Sequence, residues 1–130
     1  MHAQDLAIVR GLIPVAWADG VFEVREQEMV AALLDAYGAS DPEKAAVMAY
    51  AKEKRTVDDI DVQELSAGDR RILFQHAVLL SYADGEQGPE EVDLLGQLAK
   101  KLRISDLEAR SLMVAGAERA KRLLPLATTA

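Results

Sequence analysis

Two short stretches of the sequence carry acidic residues at a spacing that could bind a cation. In the first, Asp19 precedes a glycine and is followed seven positions later by Glu26. In the second, Asp84 and Glu91 repeat this arrangement 65 residues further along the chain. We call these two stretches, residues 17–26 and 82–91, the acidic corners. Hard cations such as Ca²⁺ and Mg²⁺ prefer several carboxylate and carbonyl oxygens, so each corner is a candidate metal site.

The corners do not have the full ligand pattern of a calcium-binding EF-hand loop. The Asp-Gly-x5-Glu spacing matches the rear part of such a loop. However, positions that should supply oxygen ligands carry Val15 and Trp17 in the first copy, and Leu80 and Tyr82 in the second. The acids available for a weaker site are Asp19, Glu23 and Glu26 in the first corner, and Asp84, Glu86, Glu90 and Glu91 in the second.

The same acids also fit a purely structural role. Gly88 and Pro89 mark a helix start, which makes Glu91 the third helical residue. A carboxylate there can accept bonds from the free amides of the first turn and interacts favourably with the helix dipole. By the repeat, Glu26 has the same position. The two aspartates could bond main-chain amides after the preceding helix, where Gly20 and its counterpart permit a positive φ. The sequence leaves both interpretations open.

Helical periodicity extends through most of the chain. Apolar residues recur every three or four positions and no segment alternates with period two, which predicts an all-α compact bundle of about seven helices. Pro14 should kink or divide the first helix, and the acidic segment 56–69 should contain a short helix. The other expected helices are Val24 to Tyr37, one from the capping box at Ser40 to about Glu53, Arg70 to Ala83, Pro89 to Leu102, and one from the capping box at Ser105 to Pro125.

The helices form an internal repeat. Residues 6–43 align without a gap to residues 71–108, with eight of 38 positions identical. Because each half leaves an apolar face for the other to cover, we expect two pseudosymmetric repeats packed as one domain over residues 1–130. Trp17 and Tyr82 should be core aromatics at the interface of the repeats, although an exposed pair would indicate a binding groove.

Composition narrows the class of protein. The chain has no cysteine, which excludes disulfides, thiolate metal sites and a cysteine nucleophile. Its start does not resemble a secretory signal, and the longest apolar run, 72–83, is too short to cross a bilayer, so we expect a cytoplasmic protein.

His76 should be a buried, hydrogen-bonded histidine rather than a ligand. Neither a catalytic triad setting nor a phosphate-binding glycine loop is evident, so we expect no enzyme activity.

Charge is unevenly distributed along the chain. The net charge is -7, which argues against nucleic-acid binding. Residues 1–99 contain 19 acids and 8 bases, whereas residues 100–130 contain 3 acids and 7 bases. This asymmetry favours a protein partner, a homodimer or contact of the last helix with an anionic membrane surface. Ordinary solvated helix faces would give the same pattern.

The doubled corner resembles the tellurite-resistance TerB family and the TerB-like region of membrane-anchored DnaJ-type co-chaperones. The motif is an apolar helix that ends in Ala-Asp-Gly, with a glutamate seven residues after the aspartate, and the likeness spans about residues 5–122. The resemblance implies an all-helical two-repeat domain without established catalytic activity, a role in tellurite and general stress responses, and divalent-metal binding at the matched acids Asp19, Glu26, Asp84 and Glu91.

Residues 1–130 contain neither a J-domain nor a membrane anchor, so we do not expect a co-chaperone role, and they depart from the family pattern at Pro14 and Gly88-Pro89. The expected function is therefore a non-enzymatic stress-response module with weak Ca²⁺ or Mg²⁺ binding at the acidic corners. The alternative is a protein-interaction module that uses its acidic face or its basic last helix, with the acids acting only as structural caps.

Overall fold

The computed structural model describes residues 2–18, 20, 22–82 and 87–128. Over these residues the chain is all-α, as the periodicity predicts, and they contain no strand. The elements are α1 Ala3–Ala16, α2 Val24–Ala36, α3 Asp41–Ala51, two 3-10 turns at Val57–Asp59 and Val62–Glu64, α4 Ala67–Leu80, α5 Pro89–Lys101 and α6 Asp106–Thr128. Six α-helices are thus present in the described ranges rather than about seven, because the segment after α3 forms short 3-10 turns.

Helices α1 and α4 form the centre of the bundle. They pack against each other, and α1 also contacts α2, α3 and α5, while α4 contacts α5 and α6. The second half of α1 is almost entirely buried, from Ile8 to Ala16 with the exception of Arg10. The predicted central helix is therefore confirmed as α4, and α1 has an equally central position because its apolar residues surround the helix on most sides.

Serine caps precede three of the helices in the described ranges. The predicted capping box at Ser40 is present, since the main-chain amide of Ser40 donates to Glu43 Oε1 at 2.8 Å, and Ser105 caps α6 by accepting a bond from the Glu108 amide at 3.2 Å. A third, at Ser66, starts α4 three residues before the expected boundary. Its partner at the third helical position is an aspartate instead of the usual glutamate or glutamine, which is why the sequence pattern did not reveal it.

The helix boundaries follow the 65-residue repeat. Helices α2 and α5 begin at residues 24 and 89 and end at 36 and 101, and α3 and α6 begin at 41 and 106. The turn from α2 to α3 therefore has the same length as the turn from α5 to α6. The repeats differ at their ends, because α6 is 23 residues long and α3 only 11.

Neither of the helix breaks expected at a proline occurs. Pro14 lies within α1 and does not divide it, while a kink there stays a prediction; the predicted end of the last helix at Pro125 was wrong, because α6 continues to Thr128. A proline removes only its own N–H from the helix hydrogen bonds, and Pro14 recovers contacts because it is buried. Neither α6 nor any other helix in the described ranges is both long and apolar enough to cross a membrane.

The buried side chains form two hydrophobic clusters that share α1. The larger cluster contains Leu12 of α1, Phe74 of α4 and Leu95 of α5. The smaller cluster contains Val9 and Ile13 of α1 together with residues of α2 and α3. Since successive faces of α1 enter different clusters, this helix joins the first repeat to the second.

Candidate site at the acidic corners

Glu26 is held at the start of α2 in the first acidic corner. It is the third residue of the helix and is half-buried, and its Oε1 accepts a hydrogen bond from the main-chain amide of Glu23 at 3.0 Å. Glu23, the residue before the helix, completes a reciprocal capping box with its own side chain. The capping role predicted for Glu26 is confirmed. The sequence interpretation treated Glu23 as a possible metal ligand and missed its position as the N-cap.

The turn before Glu26 has the predicted glycine conformation. Gly20 has a φ of 87°, which is the left-handed region that a glycine adopts at little cost. Its amide donates to the carbonyl of Trp17 at 2.9 Å, which closes the turn after α1. Asp19, the other predicted ligand in this corner, lies outside the described residues.

Glu91 has the equivalent position at the start of α5. It is the third residue of the helix, after Gly88 at the N-cap and Pro89 at the first position. Its Oε1 lies 3.5 Å from the point that a Cβ on Gly88 would occupy, and its Oε2 is shielded from solvent. The carboxylate therefore folds back over the helix start, as predicted. Asp84 and Glu86 of this corner lie outside the described residues.

No cluster of three or more potential metal ligands occurs among residues 2–18, 20, 22–82 and 87–128. That range includes Glu23, Glu26, Glu90 and Glu91 but neither of the two aspartates. A cation site at either corner would thus need the aspartates or main-chain carbonyls in addition to the described glutamates. Metal binding at Asp19, Glu26, Asp84 and Glu91 stays a prediction.

The two corners connect equivalent pairs of helices, but different side-chain contacts stabilise them. In the first, the rings of Trp17 and Phe22 lie 6.0 Å apart at 42°. In the second, Gln87 has the place of Phe22, and its Nε2 donates to Ser81 Oγ at 2.7 Å. The Ser81 hydroxyl in turn donates to the carbonyl of Val78 at 2.6 Å. Aromatic packing thus stabilises the first corner, and two linked hydrogen bonds stabilise the second. The repeat in the sequence did not reveal this difference.

Trp17 and Tyr82 are half-buried core aromatics, but they do not share one interface. Trp17 packs against the smaller cluster, and its indole Nε1 donates to the carbonyl of Ala51 at 3.0 Å, where α3 ends. Tyr82 packs against the larger cluster. The expectation that both would lie at a common repeat interface is therefore wrong, because the shared helix α1 separates the two clusters.

His76 is hydrogen-bonded, as the sequence predicted. Its Nε2 lies 3.1 Å from the hydroxyl of Tyr37, and the two rings meet edge to face with centroids 6.3 Å apart. Burial and, to a lesser extent, the positive charge of Arg119 lower the pKa of His76 below its usual value. Both effects favour the neutral imidazole.

Comparison of the sequence with protein-family models gives a match over most of the chain. The model of the family described as tellurite resistance protein TerB matches residues 5–114, a range that contains both acidic corners and the helices on either side of them. The chain belongs to the TerB family. Neither curated proteins nor solved structures gave a match.

The helix N-termini at the corners of this TerB-family chain limit how tightly the corners can bind a cation. Glu26 and Glu91 are each located in the first turn of a helix, where the main-chain amides create a positive potential. That potential stabilises the carboxylates and opposes a cation. A divalent ion would therefore bind weakly unless further oxygen ligands approach it from the turn.

Proposed function

We propose that this TerB-family protein is a non-enzymatic stress-response module that binds Ca²⁺ or Mg²⁺ weakly at its two acidic corners. Asp19 and Glu26 would provide carboxylate ligands in one corner, and Asp84 and Glu91 in the other. The role we propose is in tellurite or general stress, in the cytoplasm, and without catalysis. The observation that supports the proposal is the identical placement of Glu26 and Glu91 at the third position of helices that begin 65 residues apart.

Metal titration of thermal unfolding tests the proposal. A cation that binds only the folded protein stabilises it by an amount that grows with concentration, about 1.4 kcal/mol at ten times the dissociation constant. We expect a rise in the unfolding midpoint with Ca²⁺ or Mg²⁺, and loss of this rise in the double variant Asp19→Asn with Asp84→Asn. An equal rise in this variant and in the unsubstituted protein would refute binding at the corners.

A matched control is available within the repeat. Asp41 and Asp106 occupy equivalent first positions of α3 and α6. They are separated from the corners by the length of α2 and α5, about 20 Å at the rise of an α-helix. The double variant Asp41→Asn with Asp106→Asn removes the same charge and should keep the metal response, which would show that the response belongs to the corners and not to overall acidity.

The alternative function is a protein-interaction module in which the corner acids serve only as caps. It is favoured by the hydrogen bond from the Glu23 amide to Glu26, which accounts for one carboxylate oxygen without an ion. Its partner would be a protein or a second copy of the chain, held by the acidic face or the basic α6.

Glu26→Gln with Glu91→Gln separates the two functions, because glutamine keeps an acceptor for the helix amides but removes the charge. Loss of the metal response with little change in stability supports ion binding. A protein that shows no metal response before substitution, and keeps its stability after it, supports the interaction module.

A further inference from the structure

A cavity of about 230 Å³ lies between the start of α4 and the connection from α5 to α6. The charged side chains that line it are Arg70, Arg71, Arg103 and Glu108. The lining therefore carries three positive charges against one negative charge, although the whole protein has a net charge of -7. A cationic cavity in an acidic protein is well placed to attract a small anion.

Two of the arginines are oriented by contacts within the protein, and those of Arg70 leave its charge uncompensated. Arg70 donates from Nε to the carbonyl of Leu65 at 3.2 Å and from Nη2 to the carbonyl of Val62 at 2.8 Å, and both acceptors are neutral. Arg71 donates from Nε to Glu108, the one acid of the lining. The guanidinium groups of Arg70 and Arg71 thus have partners within the protein that orient them without a ligand.

The first repeat shows that the fold does not require these arginines. Subtraction of the 65-residue offset places Asp5, Leu6 and Gly38 at the positions equivalent to the three arginines. By contrast, Glu108 corresponds to Glu43. The acid is therefore common to both repeats, whereas all three cations are specific to the second repeat.

Arg103 also has an unfavourable main-chain conformation. The amide of Ile104 donates to the carbonyl of Ala99 at 2.9 Å, a bond that closes the C-terminus of α5 and places Arg103 at a φ of 59°. The equivalent closure of α2 uses Gly38, with a φ of 76°. Glycine is the usual residue here because side chains crowd the main chain in this left-handed region. An arginine is uncommon at such a position, and main-chain strain of this kind is typical of functional sites.

We propose that this cavity binds a phosphate dianion, either as the free ion or as a small monoester. Guanidinium groups match the oxygen geometry of phosphate, and a dianion with three or more acceptor oxygens can use several of them at once. The volume suits a group of only a few heavy atoms, since cavities for larger ligands start at about 300 Å³. This site is separate from the acidic corners, and its existence does not depend on metal binding.

A titration with inorganic phosphate at constant ionic strength, monitored by NMR through the amide chemical shifts, tests the site. We expect saturable shifts at the start of α6. The variant Arg103→Gly restores the residue of the first repeat and should weaken binding about tenfold, the typical effect of one charge-assisted hydrogen bond. The same variant should raise the unfolding midpoint by about 2 °C, because it relieves the left-handed strain. Weaker binding by a more stable protein cannot be attributed to misfolding.

Arg71→Leu, which also introduces the residue of the first repeat, should weaken phosphate binding as well. Arg25→Ala on α2 removes the same charge outside the cavity and should leave phosphate binding unchanged. A parallel titration with glycerol phosphate identifies whether the free ion or a monoester binds more tightly. The proposal is overturned if Arg103→Gly and Arg25→Ala bind phosphate equally well. It is also overturned if the unsubstituted protein shows no saturable shift up to about 20 mM phosphate, since weaker binding would have no selectivity.

Discussion

Serine caps determine where several of the helices begin. Ser66 Oγ accepts from the amide of Asp69 at 3.1 Å, and Ser40 Oγ accepts from that of Glu43 at 3.3 Å. Each bond satisfies a main-chain donor that the first turn of a helix otherwise leaves without an intrahelical partner. The caps thus stabilise helices α3 and α4 at their first turns.

Replacement of a cap should cost a measurable share of the folding free energy. We expect Ser66→Ala to lower the free energy of unfolding by about 1 kcal/mol, because the Asp69 amide loses its acceptor. Ser111→Ala is the control, since Ser111 is exposed within α6 and alanine is at least as favourable there. Urea unfolding of both variants measures the difference. Equal stability of the two would contradict the capping assignment.

His76 should make stability depend on pH near neutrality. Its environment contains Tyr37, which is hydrogen-bonded to it, and Arg119, and burial is the main cause that lowers its pKa in the folded state. The unfolded chain has the ordinary histidine pKa of about 6.5. Below that value the unfolded state binds a proton more readily than the folded state, so stability falls as the pH decreases from about 6.5 toward the folded-state pKa. Above this window the group contributes no dependence.

We predict that His76→Gln flattens the pH dependence of the unfolding free energy between about pH 7.5 and 5.5, since glutamine does not titrate. Glutamine still offers polar atoms to the hydroxyl of Tyr37. Denaturant unfolding at several pH values measures the slope, and His2→Gln at the exposed start of the chain is the control for removal of a histidine. A slope that survives in the His76 variant would locate the titrating group elsewhere.

Two glycines allow α1 and α6 to approach α4 closely. A Cβ at Gly11 of α1 would lie 2.6 Å from Leu73 Cδ2, and one at Gly116 of α6 would lie 2.3 Å from Val78 Cγ1. Both contacts are to side chains of α4. Helix α4 thus packs tightly against α1 on one side and α6 on the other, because each neighbour has no side chain at the crossing point.

Gly116→Ala should destabilise the protein by about 1–3 kcal/mol, the usual cost of overpacking, despite the better helix propensity of alanine. Val78→Ala in the same chain removes the two methyl groups that the new Cβ would meet. We therefore expect the double variant to be more stable than the sum of the two single changes predicts. A double-mutant cycle measures this coupling, and strict additivity would argue against direct contact.

The duplicated halves are joined too closely to unfold independently. Helix α1 contributes Ile8, Leu12 and Val15 to the larger cluster, and Val9 and Ile13 to the smaller one. Loss of the second repeat would therefore expose α1, which is also the centre of the first repeat. We expect the protein to behave as one cooperative unit.

Trp17 gives a direct measurement of this cooperativity. It is the sole tryptophan and packs against the smaller cluster, in the first repeat. Its fluorescence therefore reports on one half, whereas far-ultraviolet circular dichroism reports on all the helices. We predict that the two denaturant transitions coincide, with midpoints equal within error. Separate transitions would show that the repeats unfold one after the other.

The sequence by itself determined the features that depend on neighbours three or four residues apart. Apolar periodicity predicted an all-α protein, and the capping boxes at Ser40 and Ser105 located the starts of α3 and α6. The 65-residue repeat placed Glu26 and Glu91 at equivalent helix positions, and both are the third residue of their helix in the structure. Such features follow from local hydrogen bonds and from the period of the helix, and both depend only on residues that are close together in the sequence.

Only the tertiary structure decided which distant groups meet. It assigned Trp17 and Tyr82 to different clusters, paired His76 with Tyr37, and brought two arginines of α4 and one from the turn after α5 to one cavity. It also kept α1 continuous through Pro14, because burial compensates for the missing hydrogen bond. These outcomes depend on the angles and distances at which helices pack, and a one-dimensional pattern specifies which faces are apolar without specifying which partner covers them.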